Sequence, residues 1–248
     1  MDGTAFGESP VSIAITADGA LRTLKIDRPK KANALDDLTV EALREAVVEA
    51  SRSASPFALA SDGKVFCGGF DFTDVENQSH GDLLKRFVDI EALLQAVAYA
   101  PVATIALVGG AAFGAGADLA AACTYRIASP NATFRFPGFR FGVALGTRRL
   151  LNLVGTDTAR AILLENKTVT AEEALKLGLV THVVEQSEFE ATAAALLEAH
   201  RGLSAESTAR ILTFTTPDTR DADLADLVRS LAPSGLHERI ARYRAGHR

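Results

Sequence analysis

The 248 residues suffice for one large domain, or a large domain with a smaller appendage. With 48% hydrophobic residues, 23% charged residues and a formal net charge of -5, the chain lacks the basic surplus that nucleic acid or an anionic membrane surface demands. Its two cysteines, Cys67 and Cys123, are far apart and its five histidines are scattered, so no metal is expected and a reducing compartment is.

Residues 1–10 hold no basic stretch followed by an apolar run, so no secretory leader is expected and a cytoplasmic location is. The segments 11–16 and 21–27 flank Asp18-Gly19 and predict a β-hairpin. Asp36 or Asp37 then opens a helix in which Leu43, Ala46, Val47 and Ala50 fall on one face. Residues 57–60 predict a short strand before Asp62-Gly63. The polar stretch 76–82, with His80, reads as a mobile loop, and 83–99 as an amphipathic helix stopped by Pro101. Residues 102–108 are a continuous apolar run suited to a strand buried on both faces. Gly109, Gly110, Gly114, Gly116 and Asp118 interrupt the apolar stretch that follows, which excludes a membrane span. A helix over 117–123 and short strands over 125–128 and 133–136 come next.

After Gly146 the chain turns helical. Thr170 with Glu173 predicts a capping box for a helix ending at Gly178, and 179–184 a last strand. Beyond Ser187 the pattern is helical, with breaks at Pro217 and Pro233. Strands alternating with helices, then helices alone, predict an α/β core over residues 1–190 and a C-terminal helical region over 191–248.

Two glycine-rich turns carry the chemistry. Residues 106–118, Ala-Leu-Val-Gly-Gly-Ala-Ala-Phe-Gly-Ala-Gly-Ala-Asp, read as a buried strand, a turn and a helix start. Backbone N–H groups there suit a phosphate or an enolate oxygen, although a tight packing turn explains the glycines equally well. The spacing fits neither the dinucleotide fingerprint nor a phosphate loop. Residues 63–72, Gly-Lys-Val-Phe-Cys-Gly-Gly-Phe-Asp-Phe, form a second such turn followed by aromatic residues.

With residues 28–35 (Arg-Pro-Lys-Lys-Ala-Asn-Ala-Leu), 134–137, 146–150, 154–155 and 171–180, these turns resemble the crotonase (enoyl-CoA hydratase/isomerase) superfamily, and in the family's order. The resemblance runs from about Val11 to Val184. It implies a crotonase-like spiral of β-β-α units with a C-terminal helical region that makes a homotrimer or a dimer of trimers. It also implies an acyl-CoA substrate, no cofactor beyond that coenzyme A, and an oxyanion hole formed by the N–H groups of Phe70 and Ala115. Ala32, Gly68, Gly69, Phe72, Gly114, Phe136 and Gly138 would line the substrate site, with Arg28, Lys30 and Lys31 beside the coenzyme's adenosine-diphosphate moiety. Arg242, Tyr243 and Arg244 fall where the family often reaches a neighbouring subunit's coenzyme A, although a solubilising basic tail fits them as well.

Family hydratases use two glutamates. Here the first corresponds to Asp118 and the second to Gly138, and the loop after Gly142 is about three residues short, as a surface loop tolerates. Hydration needs both carboxylates, so one acid/base group favours double-bond isomerisation. Alternatives are decarboxylation or C–C cleavage of a carrier-protein-bound acyl chain or a diketone, or a thioester-binding subunit without catalysis. Asp118 also has a bland explanation, because a carboxylate in a first helical turn complements the helix dipole. The phenylalanines near the turns suit an apolar or aromatic acyl group, and also an ordinary core.

Overall fold

The computed structural model describes residues 13–18 and 21–246. Strands β1 (Ile13–Asp18) and β2 (Leu21–Ile26) pair antiparallel, from Ile13 opposite Ile26 to Asp18 opposite Leu21. The predicted hairpin is therefore present, and Gly19 and residues 11–12 lie outside the described residues. Helix α1 (Asp37–Arg52) starts where the Asp36 carboxylate accepts the Thr39 N–H at 2.9 Å. Leu43, Ala46, Val47 and Ala50 are all buried, as their spacing requires.

From there the chain repeats one plan: a strand for a first sheet, a short strand for a second sheet, then helix. β3 (Phe57–Ser61), β4 (Val65–Cys67) and α2 (His80–Ala98) make the first turn. β5 (Thr104–Val108), β6 (Ala111–Phe113) and α3 (Ala115–Ala121) make the second. β7 (Tyr125–Ala128) and β8 (Thr133–Arg135) begin the third, which continues through α4 (Thr147–Val154) and α5 (Thr156–Glu165). β9 (Val169–Thr170), α6 (Ala171–Leu177) and β10 (His182–Val183) close the spiral. The first sheet runs β1-β2-β3-β5-β7-β10 and is parallel beyond the hairpin; the second runs β4-β6-β8-β9. This is the α/β spiral of β-β-α units that the sequence resemblance implies. β5 is buried at all five positions, the reason its sequence shows no alternation.

Three expectations need correction. Residues 76–82 are not one loop: Val75–Asn77 is a 3-10 turn and His80 opens α2, because Ser79 and Asp82 form a reciprocal capping box. α3 begins at Ala115 rather than 117, directly after the glycine turn. The strand expected over 179–184 shrinks to His182–Val183.

Four further helices follow: α7 (Phe189–Glu198), α8 (Ala205–Thr215), α9 (Arg220–Leu231) and α10 (Leu236–Ala245). Pro217 and Pro233 fall in the breaks between them. Leu227, Leu231, Leu236 and Ile240 are buried in the main core, while Phe189 and Ala193 pack on Ile105 and Ile127 of the first sheet. The apolar face over 224–231 is thus partly spent within this chain's own core. α8 buries none of its residues and leaves Phe214 82% exposed. Among the described residues, no helix is long and apolar enough to cross a membrane.

Candidate active site

The loop before α1 grips the first glycine turn through backbone hydrogen bonds. Gly68 N–H donates to Ala32 O at 2.9 Å, Leu35 N–H to Gly69 O at 2.7 Å, and Asp71 N–H to Leu35 O at 3.1 Å. Both backbone groups of Leu35 are spent on the neighbours of Phe70, as in a parallel bridge, so the Phe70 N–H faces away from Leu35. In the second turn Gly114 takes φ +52°, and Ala115 is the first residue of α3, where an N–H has no intrahelical acceptor. Gly69 (φ +88°) lets the two turns touch. A β-carbon on it would lie 2.5 Å from the Phe113 carbonyl oxygen and 3.1 Å from Ala115 N.

Phe70 and Ala115 meet at a cavity of about 190 Å³, and Asp118 lines it too. Aromatic rings make about half of the remaining wall. Phe70 stacks on Phe87 with centroids 4.3 Å apart, Phe72 meets Phe141 edge-on at 5.8 Å, and Phe141 packs against Tyr243 at 4.9 Å. The Arg86 guanidinium sits 4.2 Å from the centre of the Phe70 ring.

Asp118 is buried, and its Oδ1 has no hydrogen-bond partner within the described residues. Burial pushes its proton affinity well above the usual carboxylate range; the Arg149 charge pulls it back and the Glu91 charge pushes it further up. A buried carboxyl with a raised proton affinity, in a cavity, is a candidate for proton transfer.

Gly138 lines the cavity at the start of a 3-10 turn, Gly138–Phe141. The Val143 N–H donates to its carbonyl at 2.9 Å, and a β-carbon on Gly138 would lie 2.7 Å from the Val143 carbonyl oxygen. The short loop therefore folds over the place a side chain would need.

Of the residues expected at the site, Phe70, Ala115, Asp118, Gly68, Phe72, Gly114, Phe136 and Gly138 line the cavity, and Gly69 packs behind it. Arg28, Lys30, Lys31 and Ala32 do not line it. Arg28 and Lys31 border an adjoining open cleft. The Arg28 guanidinium is occupied by Asp36 at 2.7 Å, Asp71 at 3.0 Å and the Ala34 carbonyl, so it braces the turn. Ala32 serves through its carbonyl; Lys30 and Lys31 are exposed. Tyr243 lines its own chain's cavity instead of forming part of a loose tail. Sequence reasoning also missed Val143, Leu145 and Leu163. Leu236, Ile240 and Tyr243, spaced i, i+4 and i+7, were the available signal for Tyr243's inward face.

Both cysteines are buried, and burial pushes each thiol up to about 12. Among the described residues, no group of three or more His, Cys, Asp or Glu side chains is placed to hold a metal.

A family model described as enoyl-CoA hydratase/isomerase matches residues 16–225. The probable enoyl-CoA hydratase echA6 of Mycobacterium leprae is 35% identical over 190 residues, covering 73% of this chain and 75% of that protein. The short-chain-enoyl-CoA hydratase of Clostridium acetobutylicum is 33% identical over 195 residues, covering 73% and 72%. A crystal structure of an enoyl-CoA hydratase/isomerase homologue from Bordetella parapertussis superposes with a TM-score of 0.92 at 44% identity, over 95% of this chain and 99% of that one. The enoyl-CoA hydratase of Bacillus halodurans, at 22% identity and TM-score 0.82 over 93% and 99%, shares the fold.

Proposed function

The chain belongs to the enoyl-CoA hydratase/isomerase family, and on that premise we propose that it shifts a double bond along the acyl chain of a coenzyme-A thioester. The observation that carries this reading is one carboxyl, Asp118, beside two main-chain N–H groups in a largely apolar cavity whose other titratable side chains are Arg135 and Tyr243. Asp118 takes a proton from the α-carbon of a β,γ-unsaturated thioester. The electrons move onto the thioester oxygen, held by the N–H groups of Phe70 and Ala115. The same carboxyl then returns the proton to the γ-carbon, leaving the conjugated α,β-unsaturated ester. Donors of this kind contribute roughly 3–4 kcal/mol each to such charge stabilisation.

Three of the four proteins named above are described as hydratases and the fourth as a hydratase/isomerase, so hydration is the competing reaction. It requires a second group to hold and deprotonate water, and the position where the family resemblance places that group is Gly138, closed off by Val143. Coenzyme A enters as part of the substrate, with Lys30 and Lys31 exposed near its phosphates. The aromatic walls suit a short apolar or aromatic acyl group. A trimer, or a dimer of trimers, would cover Phe214 and Leu164, which are 82% and 78% exposed.

The test follows absorbance at the thioester-conjugation wavelength. A β,γ-unsaturated acyl-CoA should gain absorbance, whereas crotonyl-CoA should lose it slowly. Fast hydration of crotonyl-CoA with no conversion of the β,γ-ester overturns the isomerase reading. Calorimetry that finds binding only for a carrier-protein thioester redirects it to that substrate.

A further inference from the structure

Behind Asp118 lies a buried ion network that the proposed chemistry does not use. Arg149 of α4 donates to both carboxylate oxygens of Glu91 on α2, at 3.0 and 2.5 Å, and to Asp223 of α9 at 3.3 Å. Glu91 also accepts from Gln95 at 2.9 Å; Asp223 accepts from Arg148 at 3.0 Å and from the Thr219 hydroxyl at 2.6 Å. Arg149 and Glu91 are 7% and 1% exposed at their side chains. Neither of them, nor Asp223, lines the cavity.

Stability alone gives little reason for this arrangement. Desolvating two charges costs about as much as their attraction returns, and apolar replacements of similar volume are often neutral or stabilising by about 1–4 kcal/mol. The geometry supplies another reason. Among the buried polar atoms without a partner in the described residues are Nε of Arg149 and Oδ1 of Asp118. Both belong to the same neighbourhood, because Gly146, the residue that caps α4, lies directly against Asp118 Oδ1. One short helix thus carries both the residue that packs on the carboxylate and the arginine that Glu91 holds.

We propose that Arg149 and Glu91 are a positioning pair for Asp118, fixing through α4 where its carboxyl sits and how readily it ionises. This rests on the proton-carrier role proposed for Asp118. The charged groups acting on Asp118 are Arg149 from α4 and Glu91 from α2, the arginine the stronger of the two. Among the described residues, the other titratable groups on the cavity wall are Arg135 of β8 and Tyr243 of α10. Glu91 partly cancels Arg149. Removing Glu91 alone leaves Arg149 balanced only by the longer contact to Asp223 and makes Asp118 ionise at lower pH. Removing both charges takes away a net pull and makes it ionise at higher pH. A pair that only braced the fold would produce no such opposite shifts.

The experiment titrates Asp118 directly in the resting full-length protein carrying ¹³C-labelled aspartate, with the signal assigned by its loss in Asp118→Asn. In Glu91→Gln the midpoint should fall by about one pH unit, the scale of a nearby charge. In the double variant Glu91→Gln/Arg149→Met it should rise above the wild-type value. The acid limb of kcat for isomerisation should follow both, with acyl-CoA affinity unchanged because neither residue lines the cavity. If the single variant does not fold, the upward shift of the double variant decides. Midpoints that stay at the wild-type value, or move together, overturn the pair's role. The titration needs no substrate, so shifted midpoints in a protein that converts no enoyl thioester overturn the proposed reaction and leave the pair standing.

Discussion

Gly146 lies so close to Asp118 that a β-carbon on it would come within 1.9 Å of the carboxylate Oδ1. Its φ of +64° is also one that side-chain-bearing residues rarely adopt. Both facts say that the carboxyl is seated by the backbone at the start of α4. Gly146→Ala should therefore displace Asp118 and lower the melting temperature, since alanine at positive φ costs more than the roughly 0.4–1 kcal/mol it gains elsewhere. Turnover should fall more than acyl-CoA affinity does. Unchanged kcat in this variant would show that the carboxyl's position is not set here.

Asp118→Asn should reduce isomerisation by about 10²–10⁴-fold, the range for a lost general acid/base. Its stability should move the other way. Burial raises the carboxyl's proton affinity in the folded state, so the native protein holds a proton that the unfolded chain releases above about pH 4. Wild-type stability from this group is full at low pH and is lost as pH rises towards the folded-state value. The variant has nothing to titrate. Its melting temperature relative to wild type should rise as pH increases above about 4, a trend thermal melts at several pH values will read.

Much of this was legible in the sequence because it is local. The hairpin, α1 and β5 announce themselves by the Asp18-Gly19 pair, by a buried helical face and by an unbroken apolar run. Asp118 and the glycine turns stand out because main-chain donors need glycine where two turns must touch. β6 was not legible: three residues between Gly110 and Gly114 are too few to show a period. The Ser79 and Asp82 capping box was visible but was read as part of a loop. Arg149, Glu91 and Asp223 come from three helices 58 and 74 residues apart in pairing distance, and no spacing rule joins them.

Cys67 and Cys123 should be inert in the native protein. Thiols pushed up to about 12 are thiolate at pH 8 to the order of only one part in ten thousand, and the thiolate is the reactive form. A thiol reagent at pH 8 should label neither until denaturant is added. Rapid stoichiometric labelling of the folded protein would contradict the burial of these thiols.

Phe70 contributes a backbone donor to the cavity and a ring to its wall, and these can be separated. Phe70→Ala keeps the N–H while removing the ring stacked on Phe87 and lying against the Arg86 guanidinium. The loss should cost about 3–5 kcal/mol in stability, as for other buried phenylalanines. In what remains folded, activity should shift towards longer acyl chains with less than a tenfold fall on its best substrate. A loss of all activity at retained fold would place the ring itself in the chemistry.

Gly138→Glu is the obvious attempt to supply a second carboxylate, and it should not create a hydratase. A β-carbon at this position meets the Val143 carbonyl oxygen at 2.7 Å, and that oxygen belongs to backbone held by the Val143 N–H bond to Gly138 O. The turn must open before any side chain fits. Opening it disturbs Phe139 and Phe141, which line the same cavity. The variant should melt at lower temperature, isomerise more slowly and still hydrate crotonyl-CoA slowly. Lengthening the loop after Gly142 together with Gly138→Glu would relieve the clash, so that double change is where hydration should first emerge. If Gly138→Glu alone hydrates crotonyl-CoA rapidly at wild-type stability, then the short loop does not exclude the second carboxylate, and the preference for isomerisation must come from another feature of the site.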